Sequence, residues 1–323
     1  MFENAIRAEQ RKRKYAVLLL YFQAFRSNFP NHLPDSSNIL NMTDPASVIL
    51  GLPGLLTACV DCFNYVQIAR NFGSDYEKCL LALDTTRLRL SRWGAAVGIS
   101  DTHFPKLDLD EIELQTAHNL LESILDTFSK AEKASIGLEK VRHLQDLSGA
   151  GLPVYDPATD LGVRYQTLHR TLEGIVEKRH ISTKVIKKAK WALYEKKKFD
   201  SMVAEVRGCV NELVELFPPG SKPEIAARET ALCRAEAEEV NETEDLVLLH
   251  EVVSETDLVL REATDEVLRS RGFGHLVADF SLLDSAEVNV GDQNAPGRQS
   301  MGHTVRKFVT SGNSVLNVGN INS

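Results

Sequence analysis

The sequence predicts an all-α helical bundle over residues 42–270, followed by a C-terminal tail over residues 271–323 that is built from two repeats. Two observations favour the bundle. Apolar residues recur at three- and four-residue steps in segment after segment, and the eleven prolines of this 323-residue chain are thinly spread. The tail is set apart by its composition, which shifts towards Gly, Asn, Ser and Val.

The composition limits the class of protein. Hydrophobic residues make up 43% and charged residues 25% of the chain, as in ordinary globular proteins. The formal net charge of −8 argues against nucleic-acid binding, because nucleic-acid-binding proteins usually carry basic surfaces. Five cysteines, an odd number, favour a reducing compartment over a secreted disulfide scaffold. We therefore expect a cytoplasmic protein in its resting state.

Residues 1–41 form an extension that we leave out of the predicted fold. A basic run at residues 11–14 precedes a short apolar run at residues 16–25, but no small-residue cleavage site of a signal peptide follows. Met42 is an alternative start, because the chain from there reads MTDPASVILGL, a short polar lead into an apolar stretch.

Residues 46–70, ASVILGLPGLLTACVDCFNYVQIAR, carry no charge before Asp61. An apolar stretch of this length predicts either a buried core helix or a helix at a membrane interface. Gly51, Pro53 and Gly54 weaken the start of that helix and keep the membrane interpretation open.

The remaining helices follow from periodicity. Residues 199–217 carry one apolar stripe of an amphipathic helix. Four more segments show a similar pattern: residues 75–97, 111–134, 164–180 and 245–269.

Charge is unevenly distributed along this body. Residues 161–200 contain eleven Lys and Arg against four acidic residues, whereas residues 224–266 contain three against fourteen. The two segments pack against each other, or each is a solvated surface, or the lysines of the first segment meet anionic lipid headgroups. Nucleic acid is a poorer partner, because no aromatic stacking pattern accompanies the lysines.

No catalytic or cofactor motif stands out. Cys59 and Cys62 form a CxxC, but a zinc site needs a second ligand pair and a thioredoxin-like site needs a βαβ setting. The chain has no GxxxxGK[ST], GxGxxG or HExxH motif. We expect no enzyme activity, no cofactor and no metal.

The tail carries a duplication. Residues 274–294, GHLVADFSLLDSAEVNVGDQN, align at an offset of 28 with residues 302–322, GHTVRKFVTSGNSVLNVGNIN, and eight of 21 positions are identical. Typical residue usage would give about one or two matches. The identical pairs are Gly274/Gly302, His275/His303, Val277/Val305, Phe280/Phe308, Asn289/Asn317, Val290/Val318, Gly291/Gly319 and Asn294/Asn322.

The second half of each copy alternates apolar and polar residues, as at Ala286, Val288 and Val290, which is the period of a β-strand. Two copies alone bury little core, so we expect the tail to be disordered in the monomer. In an amyloid assembly each chain would add two stacked rungs of a β-solenoid. The expected amyloid core is Val277, Phe280, Ala286, Val288, Val290, Gly291, Val305, Phe308, Leu316, Val318 and Gly319.

The two copies are complementary in charge. Copy one has four acidic residues and no Lys or Arg, whereas copy two has Arg306 and Lys307 and no acidic residue. Alternating copies therefore place Asp279 beside Lys307 instead of stacking like charges about 4.7 Å apart. The expected ladder residues are Asp279, Lys307, Asn289, Asn317, Asn294 and Asn322.

Specific motifs then point to a family. Residues 59–99 read CVDCFNYVQIARNFGSDYEKCLLALDTTRLRLSRWGAAVGI, and residues 168–218 include LHRTLEGIVEKR, KKAKWALYEKKKF and VNELVELFP. These stretches resemble the N-terminal HeLo domain of the fungal HET-S/HET-s family, and the likeness covers most of residues 44–270. The segments EVNVGDQN and NSVLNVGN resemble the strand-turn cores of that family's prion-forming region, which forms a two-rung β-solenoid from two pseudo-repeats.

The resemblance implies a HeLo domain that disrupts the plasma membrane when templated folding of the tail releases an apolar segment, residues 46–63 here. The expected insertion residues are Val48, Ile49, Leu50, Leu52, Leu55, Leu56 and Val60. The family's toxicity-control positions fall on Asp61 and Asn71, and Asn71 stands where the well-known alleles carry His or Pro. The extension also departs from the family, which normally starts close to the apolar segment.

Three hypotheses remain. The first is an amyloid-templated cell-death protein of the heterokaryon-incompatibility type, whose partners are copies of itself, an allelic partner or a receptor bearing the amyloid motif, and membrane lipids on activation. The second is a non-toxic prion form or inhibitor that co-assembles with a toxic partner. The third is a helical interaction module with a disordered tail.

Overall fold

The computed structural model describes residues 45–99, 110–145, 154–179, 190–218, 220–282, 287–290, 302–310 and 315–318. The helices are α1 (Pro45–Cys62), α2 (Tyr76–Val97), α3 (Glu111–Gln145), α4 (Pro157–Asp160), α5 (Val163–Arg179), α6 (Lys196–Glu215), α7 (Pro223–Glu239), α8 (Thr243–Val253) and α9 (Leu258–Ser270). The strands are β1 (Val66–Ile68), β2 (Trp191–Leu193), β3 (Phe273–Leu282), β4 (Glu287–Val290), β5 (Gly302–Thr310) and β6 (Val315–Val318). The predicted helical body is confirmed, and the extension with Met42 lies outside the described residues.

Helix α2 is the axis of the body. It packs against α1, α5, α6, α7 and α8, and 17 of its 22 residues are buried. Gly98 ends the helix with φ +86°, a conformation that glycine adopts without a Cβ penalty, and its N–H bonds back to the carbonyls of the last turn. A helix covered on so many sides must bury its polar residues together with its apolar ones.

The amphipathic stripe predicted for residues 199–217 is the core face of α6. Phe199, Met202, Val206, Val210 and Leu213 are all buried there. The helix begins slightly earlier than predicted, at Lys196, and ends at Glu215. Its burial shows that the three- and four-residue apolar spacing did identify a core face.

The apolar pattern predicted one helix over residues 46–70, and this prediction is wrong for the second part of the segment. Helix α1 ends at Cys62, a 3₁₀ turn covers Phe63–Tyr65, and β1 then pairs in parallel with β2, which was also not predicted. The β-branched residues Val66 and Ile68 suit a strand, and the backbone partner that makes a strand possible lies more than a hundred residues further along the chain.

Residues 245–269 are two helices instead of one. The chain turns after Val253, and Asp257 caps the start of α9 by accepting a hydrogen bond from the Leu260 N–H at 3.3 Å. Helix α7 was not predicted at all, because its sequence is dominated by charge and only a narrow set of residues, including Ile225, Cys233 and Ala237, faces the core.

A buried guanidinium joins the central helix to the C-terminal helices. The Arg92 side chain is 0% exposed. It forms an ion pair with Asp257 and donates to Glu236 at 2.8 Å and to the Cys233 sulfur at 2.6 Å. Burial alone would lower the pKa of Arg92, but the two carboxylates outweigh it and raise the pKa, so the group stays charged. Glu236 is shared with Arg179 of α5, which extends the network to a fourth helix.

The oppositely charged segments pack against each other, which was one of the interpretations left open by the sequence. Ion pairs connect α5 to α7 and α8: Arg179 with Glu236, Lys178 with Glu239, and Arg164 with Glu244. The Arg179 pair is shielded from solvent. The Lys178 and Arg164 pairs are exposed, so they contribute less to the stability of the fold.

Replacing the buried guanidinium tests how far this network holds the body together. The change Arg92→Met should lower the free energy of unfolding by about 3–5 kcal/mol, because Glu236 and Asp257 would stay buried without their partner. Urea denaturation followed by circular dichroism measures the loss. The exposed pair Arg234 with Glu238 on α7 provides the control, since Arg234→Met should leave the midpoint nearly unchanged. Equal midpoints for the two variants would contradict the role of the network.

Candidate functional site

Helix α1 is the first part of the candidate site. On its inner face Leu52, Leu56, Cys59 and Val60 are buried, and it packs mainly along α3. The Cys59 thiol donates a hydrogen bond to the Leu121 carbonyl of α3 at 3.2 Å. The other predicted insertion residue in this part, Leu55, is partly buried. The side chains of Val48, Ile49 and Leu50 lie outside the described part of the structure.

Apart from its two ends and the position of Pro53, helix α1 forms its backbone hydrogen bonds within itself, so the contacts that hold it to the domain are made mainly by its side chains. Pro53 lies inside the helix and supplies no N–H to its hydrogen-bond ladder. Among the described residues, no helix combines the length and the apolar character that are required to cross a membrane.

The C-terminal end of α1 meets a buried group of charged residues. Asp61 is buried, and its carboxylate interacts electrostatically with Arg87 of α2. Burial lowers the pKa of Arg87, while the carboxylates of Glu173, Asp84 and Asp61 act in the opposite direction. The predicted control position at Asp61 therefore lies where the apolar helix contacts the charged side of the central helix.

Asp84 and His169 form the tightest contact in this group. The His169 Nδ1 lies 2.7 Å from an Asp84 carboxylate oxygen, and both residues are 8% exposed. Burial alone would lower the pKa of His169, but the hydrogen bond and the charge of Asp84 reverse this and raise the pKa. Burial raises the pKa of Asp84, although His169 partly opposes that shift.

Asn71, the second predicted control position, lies in a 3₁₀ segment, Arg70–Asp75, just after β1. Its side chain lies outside the described part of the structure. Gly73 in the same segment has φ +55° and ψ −132°, a conformation that is largely restricted to glycine. The two control positions are therefore separated along the chain by the 3₁₀ turn and β1.

The tail strands pair in the register of the sequence repeat. Strand β3 pairs in parallel with β5, and Val277 lies opposite Val305. Strand β4 pairs in parallel with β6, and Asn289 lies opposite Asn317. Both pairs keep the 28-residue offset of the alignment, apart from a shift at Phe273. The two copies therefore pair with each other, strand for strand, within one chain.

Several predicted tail residues occupy matching places in this register. Phe280 lies opposite Phe308, Val288 opposite Leu316 and Val290 opposite Val318. Asp279 and Lys307 lie between the paired positions Ala278–Arg306 and Phe280–Phe308. The remaining predicted residues lie outside the described residues: Ala286, Gly291, Asn294, Gly319 and Asn322.

The lysine-rich stretch is partly neutralised by local acids. Lys196 is 3.0 Å from Asp200 and 3.8 Å from Asp75, and Lys198 is 3.2 Å from Glu195. Residues 181–189, which hold several of the lysines proposed to meet lipid headgroups, lie outside the described residues. In the described part of the chain, this stretch is therefore a mixed surface.

The CxxC at Cys59 and Cys62 lies on the last turn of α1. Burial raises the pKa of the Cys59 thiol well above its ordinary value, which disfavours the thiolate that redox or metal chemistry needs. Within the described residues, no group of three or more His, Cys, Asp or Glu side chains is arranged to hold a metal ion.

The buried charges of α2 were missed by sequence reasoning. Asp84, Arg87 and Arg92 recur at three-, five- and eight-residue separations, which places them on more than one side of the helix. The sequence did contain a signal for these buried charges, because charged residues interrupt the largely apolar segment 80–97. Their partners on α5, α7 and α9 are distant in sequence, so the pairing itself could not be predicted.

A helical body with an apolar first helix, followed by a tail of two repeats paired in parallel, is the arrangement that the resemblance to the HET-S/HET-s family implied. The family model described as "HeLo: Prion-inhibition and propagation" matches residues 46–249. The chain belongs to the HeLo family.

Named relatives support this assignment. Heterokaryon incompatibility protein S of Podospora anserina is 34% identical over 255 residues, which cover 78% of this chain and 84% of that protein. Heterokaryon incompatibility protein s of the same organism is 34% identical over 257 residues, with the same coverage of both chains.

Two solved structures are similar to the helical body. The HET-S N-terminal domain matches with a TM-score of 0.59 at 35% identity, covering 70% of this chain and 99% of that one. A doubly substituted HET-s N-terminal domain matches with a TM-score of 0.58 at 34% identity, covering 68% of this chain and 98% of that one. The predicted resemblance to the HET-S/HET-s family is confirmed.

The buried Asp84–His169 pair predicts a pH dependence of stability. Because the folded-state pKa of His169 lies above its unfolded value of about 6.5, the protonated histidine stabilises the fold fully below that pH. This stabilisation should be lost as the pH rises through the folded-state pKa. Urea midpoints measured at increasing pH above about 6.5 should therefore fall in the wild-type chain.

The matched variants are His169→Gln and Asp84→Asn, each of which removes one partner of the pair. Both should flatten the fall of the urea midpoint over this pH range. Parallel midpoint curves for the wild type and both variants would show that the pair does not titrate in this way.

Proposed function

We propose that this protein is an amyloid-templated cell-death protein of the heterokaryon-incompatibility type. A seed of the same fold would draw the tail into a β-solenoid assembly, and this assembly would cause the HeLo domain to release α1. The released helix would then disrupt the plasma membrane, whereas the resting protein stays in the cytoplasm. The observation that carries the proposal is the parallel pairing of the two tail repeats in the register of their alignment.

The tail register supports templating. Among the described strands, β3 pairs with β5 and β4 pairs with β6, so each strand has its strand partner on one side. The other side of each rung carries a row of backbone donors and acceptors that a further chain can pair with. Because the two rungs differ in charge at Asp279 and Lys307, a new chain adds favourably when its copies continue the alternation.

The packing of α1 supports the membrane step. The helix can leave α3 with its backbone hydrogen bonds intact, because it is held through side-chain contacts such as those of Leu52 and Leu56. On leaving, it would expose those buried apolar side chains, which favour a lipid environment over water.

The proposed activity depends on assembly and membrane binding, so it needs no catalysis and no cofactor. Its partners are copies of the same chain, an allelic partner or a receptor with a matching amyloid motif, and lipids once α1 is released. The names of the Podospora relatives refer to heterokaryon incompatibility, and we extend that role to this chain as part of the proposal.

A second candidate is a non-toxic prion form or inhibitor that co-assembles with a toxic partner. The observation that favours it is Asn71, which differs from the His or Pro of the well-known alleles at that position. Both candidates predict seeded assembly of the tail. They differ in membrane damage, which the executor causes by itself and the inhibitor does not.

A charge on α1 should prevent membrane entry without affecting the assembly of the tail. The change Leu55→Lys places an ammonium on a partly buried position, where its long stem lets the charge reach water in the resting fold. In the hydrocarbon the same charge costs about 3 kcal/mol. Full chain seeded with its own sonicated fibres should release dye from phosphatidylcholine–phosphatidylserine vesicles, and Leu55→Lys should reduce that leakage to the unseeded level.

The control is Ile112→Lys, which adds the same charge at an exposed position on α3 and should leak like the wild type. Equal leakage from Leu55→Lys and the wild type would refute the role of α1. Seeded fibre growth without leakage from the wild type would support the inhibitor instead.

Proline in a tail strand should stop templating. Val290 lies opposite Val318 in the β4–β6 pair, and Val290→Pro removes a backbone donor from that rung. Seeded thioflavin-T fluorescence of the full chain should then stay flat, whereas the wild type should form fibres with a reflection near 4.7 Å. The control Gln299→Pro, in the sequence between the two repeats, should grow normally. Normal growth of Val290→Pro would exclude β4 from the fibre core.

A further inference from the structure

The chain immediately after α1 is held in a different way from α1 itself. Strand β1 is paired in parallel with β2, and Ile68 lies opposite Leu193. The pairing continues one residue further, because the Ala69 N–H donates to the Leu193 carbonyl at 3.1 Å. This part of the backbone therefore depends on a partner segment for its hydrogen bonds, whereas α1 satisfies its own.

A second partner lies on the opposite edge of the same segment. The Tyr155 N–H donates to the Ile68 carbonyl at 2.8 Å, and Ala69 forms an antiparallel bridge with Val154. Ile68 and Ala69 thus lie between two extended segments, whereas Val66 and Gln67 pair with β2. Moving them away would break backbone hydrogen bonds on two sides at once, and a lipid environment offers no replacement for these bonds, whereas it does replace the apolar contacts of α1.

Arg70 fastens this arrangement from the outside. Its Nη2 lies 3.1 and 2.9 Å from the two carboxylate oxygens of Asp160, and its Nε donates to the Val154 carbonyl at 3.2 Å. The guanidinium also lies over the Tyr155 ring, 5.9 Å from its centroid. The side chain of Asp160 is 19% exposed and that of Arg70 is 52% exposed, so solvent reaches the ion pair mainly from the arginine side.

Tyr155 links the extended segment to the start of α2. Its ring stacks on Tyr76 with centroids 3.8 Å apart, and its hydroxyl donates to the Gly73 carbonyl at 3.3 Å. The segment that contains Asn71 is therefore held between Arg70 and Gly73.

We propose that residues 66–70, with residues 154–155, Asp160 and β2, form an anchor clip at which the release of α1 stops. The inference rests on the proposed function and adds its boundary: the released piece ends within the 3₁₀ turn Phe63–Tyr65, and Asn71 stays on the anchored side. Asn64 in that turn is exposed, which makes it a suitable hinge. Arg70 is then a positioning residue, which keeps the segment around Asn71 in place while α1 moves.

Hydrogen exchange with mass spectrometry on the full chain tests the boundary. After seeding with sonicated full-chain fibres in phosphatidylcholine–phosphatidylserine vesicles, peptides from α1 should change their protection. Peptides covering Ala69 and Tyr155, whose amides donate within the clip, should keep their resting protection. Loss of protection at Ala69 together with α1 would overturn the proposal.

Variants test Arg70 itself in the resting chain. The change Arg70→Gln should speed exchange in residues 66–70 and 154–155 by about three- to tenfold and leave α7 unchanged. The double change Arg70→Asp with Asp160→Arg should restore part of the protection. The control Arg234→Gln breaks an exposed ion pair on α7 and should leave the clip unaffected. Unchanged exchange in Arg70→Gln would remove the fastening role of Arg70.

An exchange experiment on the resting chain distinguishes a failure of this proposal from a failure of the proposed function. In low urea, α1 should open and exchange before residues 66–69, whether or not the chain damages vesicles. If seeding produces no leakage and no change in α1, the proposed function fails while the order of opening still tests the clip. If α1 and residues 66–69 open together in urea, the clip fails even in a chain that causes leakage.

Discussion

The helical body depends on one buried charge. Arg92 lies inside the central helix, and its guanidinium has to find carboxylates because no water reaches it. Glu236 and Asp257 provide them from α7 and from the cap of α9, and Arg179 ties α5 to the same group. Separation of any of these elements from α2 would leave a charge buried without a partner. The C-terminal helices therefore stay packed on the central helix because their separation would cost the free energy of an unpaired buried charge.

Helix α1 is held by the opposite kind of interaction. Leu52, Leu56 and Val60 contribute apolar contacts that another apolar environment can replace, and most of its backbone hydrogen bonds are internal. The charged group around Asp61 and Arg87 lies only at its last turn. One domain thus combines a helix that is held mainly by apolar contacts with a set of helices that are held by buried charges. This division is what the proposed function requires of a domain that both folds stably and releases a segment.

The tail strands are held together in a third way, by parallel backbone pairing between the two copies of the repeat. Its two copies differ at most positions, yet the strands pair at the offset of the alignment, with Asn289 opposite Asn317 and Val290 opposite Val318. Parallel in-register pairing places each residue beside its counterpart, so identical apolar and amide residues fall together. Where the copies differ in charge, as at Asp279 and Lys307, the pairing brings opposite charges to matching positions of neighbouring strands, which is favourable.

The sequence by itself determined the elements whose signal is local. Periodicity located α2, α3, α5 and α6, and the repeat alignment predicted the register of the tail strands. The tertiary structure alone decided the pairing of β1 with β2, the break at Asp257, and the partners of Arg92. Each of these depends on groups far apart in the chain, and a short segment contains no record of which distant carboxylate or backbone carbonyl will satisfy it. Local patterns reveal which residues avoid water, but only the packed fold determines what a buried charge or an open strand edge will contact.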